Sequence, residues 1–188
     1  MTLNLGPEGV QLLIPQRRPF LMVDRITGFA SGPPPSLTAS RYLSANEAIF
    51  DGHFPQLAVS PGAWTLEGLA QCCALLVRLE GLGLDEGTLR DELNNLERGF
   101  TLQPDFEAER SRTLRSRLVG GGGLGLAGAV DLKFVAPVFA GNRLDYRVSL
   151  ARRMGARLRF QVAASVGEQE VVRGSITAAR VAAPGLSP

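Results

Sequence analysis

The stretch Phe50–Leu76, "FDGHFPQLAVSPGAWTLEGLAQCCALL", holds the only histidine of the chain, His53, and a lone carboxylate, Glu67, inside an otherwise apolar run. The second half reads as a helix. Ser60 is the expected N-cap, Pro61 suits the first helical position, and Gly62 follows. Apolar residues lie on almost every side of Ala63 to Val77, so other structure should enclose the helix. Glu67 shares a narrow stripe with Thr65, Gly68 and Gln71, and Gln71 lies one turn further on the same face. Two readings stand side by side. Glu67 is either a carboxylate on a solvent-facing stripe or a buried acid whose pKa rises in low dielectric until it can donate a proton near neutral pH.

Outward from that stretch, the chain is globular in composition: 188 residues, 45% hydrophobic and 20% charged, which suits one domain with a sizeable core. Twenty basic and eighteen acidic residues leave +2, so bulk charge gives no argument for nucleic acid. Lys133 is the one lysine; the other basic residues are arginines. The adjacent Cys72 and Cys73 cannot frame disulfides and read as small core residues, which suits a reducing cytoplasm. The N-terminal residues lack the pattern of a signal peptide. Pro61–Val77 contains Glu67 and Gln71, so it reads as a buried helix and not as a membrane span.

Along the rest of the chain, "FLMVDRI" and "LTASRYL" read as strands, "SGPPPS" as a loop, and "SANEAIFDGHFP" as a loop or short helix. In residues 79–125, Leu89, Leu93 and Leu96 have helical spacing, "RTLRSRLV" reads as a strand, and "GGGGLGLAG" as a loop or close-approach segment. Four strand-like runs follow, ending in "EVVRGSITAARV", with turn signals at Ala140–Asn142, Met154–Gly155 and Gly167–Glu168; they predict successive antiparallel strands. The expected architecture is α+β, one domain over 1–180 and a disordered tail over 181–188.

His53 titrates near neutral pH when unperturbed and sits between Gly52 and Pro55 just before the helix. Free backbone N–H groups near Gly62 and Ala63, aided by the helix dipole, can stabilise an oxyanion. A base, an acid and an oxyanion site together suit proton abstraction α to a carbonyl with loss of a β-leaving group.

"IPQRRPFLMVDRI", "GHFP…PG…EGLAQ" and "LAGAVDLKFVAPVFAGNRL" resemble the landmark segments of the 3-hydroxyacyl-acyl-carrier-protein dehydratases. The resemblance covers about Leu12–Val77 and Leu126 to near Arg180. It implies a hot-dog fold, in which a long central helix is wrapped by a curved antiparallel sheet, with 79–125 as a family-atypical insertion serving as lid, added interface or tolerated extra length. Glu67 resembles the plain dehydratase branch, whereas the isomerase branch has Asp. The resemblance further implies that His53 abstracts the C2 proton, that Glu67 of the other protomer helps the C3 hydroxyl leave, and that the Gly62 amide polarises the thioester carbonyl. Phe54, Pro61, Ala63, Trp64 and Gln71 are the expected substrate-binding positions. The implied partners are an acyl carrier protein bearing a 3-hydroxyacyl chain and a second copy, as a homodimer or a trimer of such dimers. No cofactor, metal, nucleic acid or membrane is implied. Gln16 stands where the family has His, and Gln56–Trp64 depart from its pattern, which bears on substrate range.

GxGxxG occurs at Gly120, Gly122 and Gly125 and again at Gly123, Gly125 and Gly128. A strand follows instead of a helix, so the dinucleotide reading fails. One His and two adjacent Cys give no metal spacing. Arg17, Arg18 and Arg25, or Arg152, Arg153, Arg157 and Arg159, are either contacts for an acidic carrier or solvated faces. The same constellation leaves open a specialised polyketide or aryl-polyene route, a thioesterase on the same fold, and a non-catalytic acyl-binding module.

Overall fold

The computed structural model describes residues 1–119 and 124–181. Seven strands form one antiparallel sheet: β1 (Thr2–Leu5), β2 (Arg25–Ala30), β3 (Ser36–Tyr42), β4 (Leu124–Phe134), β5 (Arg143–Met154), β6 (Arg157–Val166) and β7 (Gln169–Val181). Their spatial order is β1-β2-β3-β5-β6-β7-β4. The four C-terminal strands expected from sequence all form. They are not neighbours in simple succession, because β4 crosses to the far edge and pairs with β7, with Val130 opposite Ile176. Gly141, Gly155 and Gly167 turn the chain at positive φ (84°, 59° and 56°), where a side chain would be strained.

Strict alternation places Leu144, Tyr146, Val148 and Leu150 of β5, and Leu158, Phe160, Val162 and Ala164 of β6, on the buried face. Across that face lies α2 (Gly62–Glu80), packed on β3, β5 and β6. Gly68 is required at the crossing, because a Cβ there would overlap the Tyr146 hydroxyl. Thr65, Gly68 and Gln71 are buried, so the polar stripe faces inward and the solvent-facing reading of it does not hold. The enclosure of α2 is incomplete within one chain: Ala63 is exposed, and Leu66, Ala70, Ala74 and Val77 are half-buried.

Several local expectations are corrected. The helix N-cap is Pro61 and not Ser60, since the Ser60 amide donates to Val138 O (2.7 Å) and stays in extended pairing. Phe20–Asp24 is not a strand; the Met22 amide goes to the Gln71 side chain, and β2 begins at Arg25. "RTLRSRLV" lies in α4 (Ala108–Val119), where Leu114 and Leu118, four apart, are buried on one face. "LGLAG" is the start of β4 and not a loop. Gly120–Gly123, and with them the first glycines of the GxGxxG pattern, lie outside the described residues, as does the expected tail from residue 182; Val181 closes β7.

Residues 79–125 contribute the end of α2, α3 (Glu86–Phe100), α4 and the first residues of β4. Leu89, Leu93 and Leu96 of α3 are buried as their spacing predicts. Helix α3 packs on β1, and both helices pack on α1 (Pro7–Leu13); neither β1 nor α1 is evident in the sequence. Buried Asn95 ties α3 to the start of α4 by donating to Glu107 O (3.0 Å) and accepting from Glu107 N (2.8 Å). Glu97 receives the Gly6 amide (2.9 Å) and an ion pair from Arg25 (3.4 Å). This layer closes the β1 end of the sheet, the edge opposite β4.

Candidate active site

The loop before α2 is held by a chain of backbone bonds. A 3₁₀ turn (Ala48–Asp51) receives the His53 amide at Ile49 O (3.0 Å), and Phe54 and Leu57 exchange two hydrogen bonds of 2.9 Å each. Residues 58–60 then pair with 138–140, with Val59 bridging Phe139. His53 Nδ1 lies 2.8 Å from Val59 O. A carbonyl oxygen only accepts, so Nδ1 is the donor, and in the neutral imidazole the lone pair is on Nε2. The Phe54 ring stacks on the imidazole at 4.4 Å.

His53 opens into a cavity of about 400 Å³ whose walls are mainly apolar. Gly62 and Thr65 of α2 form one side; Phe134, Val138 and Val172, from the β4 exit and β7, form the other. Gly62 and Ala63 occupy the first turn of α2, and their amides have no backbone acceptor among the described residues. Gly62 abuts Phe134, so closely that a Cβ would lie 3.0 Å from the ring. The His53 imidazole and the Gly62 start of α2 thus meet in one mainly apolar cavity.

Glu67 does not join them. At about 100° per residue, Glu67 points about 200° away from Thr65, to the opposite side of α2. There its Oε1 accepts a 2.8 Å hydrogen bond from Gln71 Nε2. Gln71 is itself fully engaged: Nε2 also donates to Phe20 O (2.8 Å) and Oε1 accepts from Met22 N (2.8 Å). It therefore holds Glu67 in place and presents no free group to a ligand in this chain.

Of the expected substrate-binding positions, Phe54 is an exposed partner of the His53 ring, Pro61 is the N-cap, and Ala63 faces outward. Trp64 lies under the Arg41 guanidinium, 4.9 Å from the ring centroid, and not in the cavity wall. The wall residues Thr65, Val138 and Val172 are not among the sequence candidates. The run "KFVAPV" was the available signal, because a strand that stays apolar into its exit turn has a second face to cover. Among the described residues no cluster of His, Cys, Asp and Glu suits a metal, and no helix is long and apolar enough to cross a membrane.

Comparison with known proteins bears on the chemistry. The FabA-like domain model matches residues 14–98. A 3-hydroxyacyl-[acyl-carrier-protein] dehydratase FabZ from Anaeromyxobacter sp. is 32% identical over 171 residues, 91% of this chain and 87% of the relative. One from Neisseria meningitidis is 45% identical over 84 residues, 45% of this chain and 55% of that relative. The solved dehydratase heterocomplex ApeI:P from Xenorhabdus doucetiae superposes with a TM-score of 0.58 over 92% of this chain and 90% of its own, at 14% identity, a likeness that speaks to the hot-dog fold. With a relative above 30% identity matched along nearly its whole length, this chain belongs to the FabZ family of 3-hydroxyacyl-[acyl-carrier-protein] dehydratases.

Proposed function

We propose that the protein removes water from 3-hydroxyacyl thioesters of acyl carrier protein, giving trans-2-enoyl thioesters in fatty acid biosynthesis, with His53 as base. The observation that carries this reading is the His53 ring, fixed through Nδ1 to Val59 O, in one mainly apolar cavity with Gly62 at the start of α2. Nε2 takes the C2 proton. The thioester carbonyl gathers the negative charge and accepts from the Gly62 amide at the helix start. Electrons then form the C2–C3 double bond as the C3–O bond breaks, and Glu67 of a second copy supplies the proton that lets the hydroxyl leave as water. The relatives matched over most of the chain favour fatty acid synthesis over the polyketide or polyene routes.

A homodimer is part of the same proposal. Glu67 and the cavity lie on opposite sides of α2, so a second copy is the source of an acid for each cavity. The surface is suited to one: β4 is an unpaired edge with Val130 and Phe134 exposed, and Phe54, Leu57 and Phe139 are exposed beside it. A cytoplasmic location fits Cys72 and Cys73, which are free, buried and pushed to high pKa by that burial.

The test is hydration of a crotonyl thioester, the reverse reaction. His53→Ala should lower kcat by about 10²–10⁴-fold, the scale of a lost general base. An unchanged rate would falsify the mechanism, and release of free thiol in place of hydration would assign a thioesterase.

A further inference from the structure

We propose that Arg41 is a positioning residue for the dehydration, holding the His53 loop, the oxyanion end of α2 and the Glu67–Gln71 pair in one arrangement. This rests on the site assignment above. Arg41 continues the core-facing alternation Leu37, Ala39, Arg41 of β3, so its side chain is directed under α2 and not into solvent. It is 6% exposed. A buried guanidinium persists only if paired. Beside Tyr146 of the core, Arg41 meets three groups, each in a different part of the site.

The first is Glu47, whose Oε2 accepts from Arg41 Nη2 at 2.6 Å. Glu47 organises the loop that carries the base: its Oε1 accepts the Ser44 amide (3.2 Å), its carbonyl accepts the Phe50 amide (3.0 Å), and His53 hangs on the same turn through Ile49. The second is Trp64, with the guanidinium over its ring, two residues beyond Gly62 in the first turn of α2. The third is Met22, whose Sδ contacts Arg41 Nη1 and whose amide donates to Gln71, the residue that holds Glu67. Arg41 does not line the cavity. One rigid, planar cation spans the supports of all three groups, a task the single point charge of Lys does less well.

The lone His and lone Trp make this directly measurable, since each gives one signal for the whole chain. Arg41→Met, Arg41→Lys, Glu47→Gln and Trp64→Leu are compared with the unaltered protein in crotonyl thioester hydration. The imidazole Hε1 chemical shift and the tryptophan emission are recorded alongside, with thermal melts to confirm folding. A reacting group misplaced by about 1 Å costs about 100-fold, so Arg41→Met should lower kcat by that order with KM nearly unchanged. It should also displace the His53 resonance, and Arg41→Lys should recover part of both. Glu47→Gln should lower kcat by about tenfold, less than the loss of the base itself, because the ring is displaced and not removed.

A folded Arg41→Met with wild-type kcat overturns the proposal. So does a loss that follows only the folded fraction while the His53 resonance stays in place. Should Arg41→Met not fold, Glu47→Gln decides, and a wild-type rate with an unmoved His53 resonance overturns it equally. Full activity in His53→Ala would instead sink the underlying site assignment; an inactive His53→Ala beside fully active Arg41 variants would sink this inference alone.

Discussion

Gly68 and Tyr146 meet where α2 crosses the sheet, and the contact leaves no space for one more atom. The hydroxyl is fully buried, and burial pushes the phenol to high pKa, so it is neutral at every working pH. Gly68→Ala should lose about 1–3 kcal/mol in denaturant unfolding, the usual cost of overpacking a tight core. Tyr146→Phe combined with it should recover only part, since a Cβ at Gly68 would also lie 2.5 Å from Tyr146 Cζ. Full additivity of the two changes would show that the contact is absent in solution. The same scale holds the most legible feature of the sequence. His53 could be singled out because it is unique, and its tautomer needed only Val59 O to be placed opposite Nδ1.

At the scale of elements, α2 shows what periodicity can and cannot say. Its length and apolar character were legible, yet which side Glu67 occupies depended on where the sheet lies. The buried Thr65, Gly68 and Gln71 reverse the solvent-facing reading, because the Gln71 side chain satisfies Met22 and Phe20 backbone groups that no strand pairs. The sequence of α4 also reads as a strand, because short Arg/Leu alternation fits both periods; only its packing on α1 and α3 separates them. In α3, Asp85 caps the N-terminus, accepting from the Thr88 amide (2.9 Å) and hydroxyl (2.6 Å). The Thr88 hydroxyl, then its amide, hold the carboxyl below its ordinary range. A lowered folded-state pKa means stabilisation that is present above the unfolded pKa and lost as pH falls through the folded one. Asp85→Ala should therefore melt earlier than the unaltered protein at neutral pH, with the gap closing in acid. A gap independent of pH would remove the charged cap from the account.

For the molecule as a whole, the question is where each cavity obtains its acid. One chain brings His53 and Gly62 to its own cavity and turns Glu67 away from them. Mixing His53→Ala and Glu67→Gln should restore activity after co-refolding, since in the proposed homodimer one site takes both intact groups from complementary chains. Recovery of none, with mixed dimers demonstrated by mass, would place both groups in one chain's site. Residues 79–125 are likewise a whole-molecule matter. Among the described residues, α3 and α4 build a helical layer at the β1 edge, away from the same chain's cavity wall at β4 and β7.

The sequence by itself determined the long apolar helix, the four C-terminal strands with their glycine turns, and the His53–Gly62–Glu67 spacing, because these follow from local periodicity and backbone preference. Tertiary structure alone decided the rest. Strand order, the burial of Arg41, the cavity wall and the turning of Glu67 away from His53 are set by contacts between residues far apart in the chain. A side chain's role follows from what the folded chain brings against it, and that cannot be read one segment at a time.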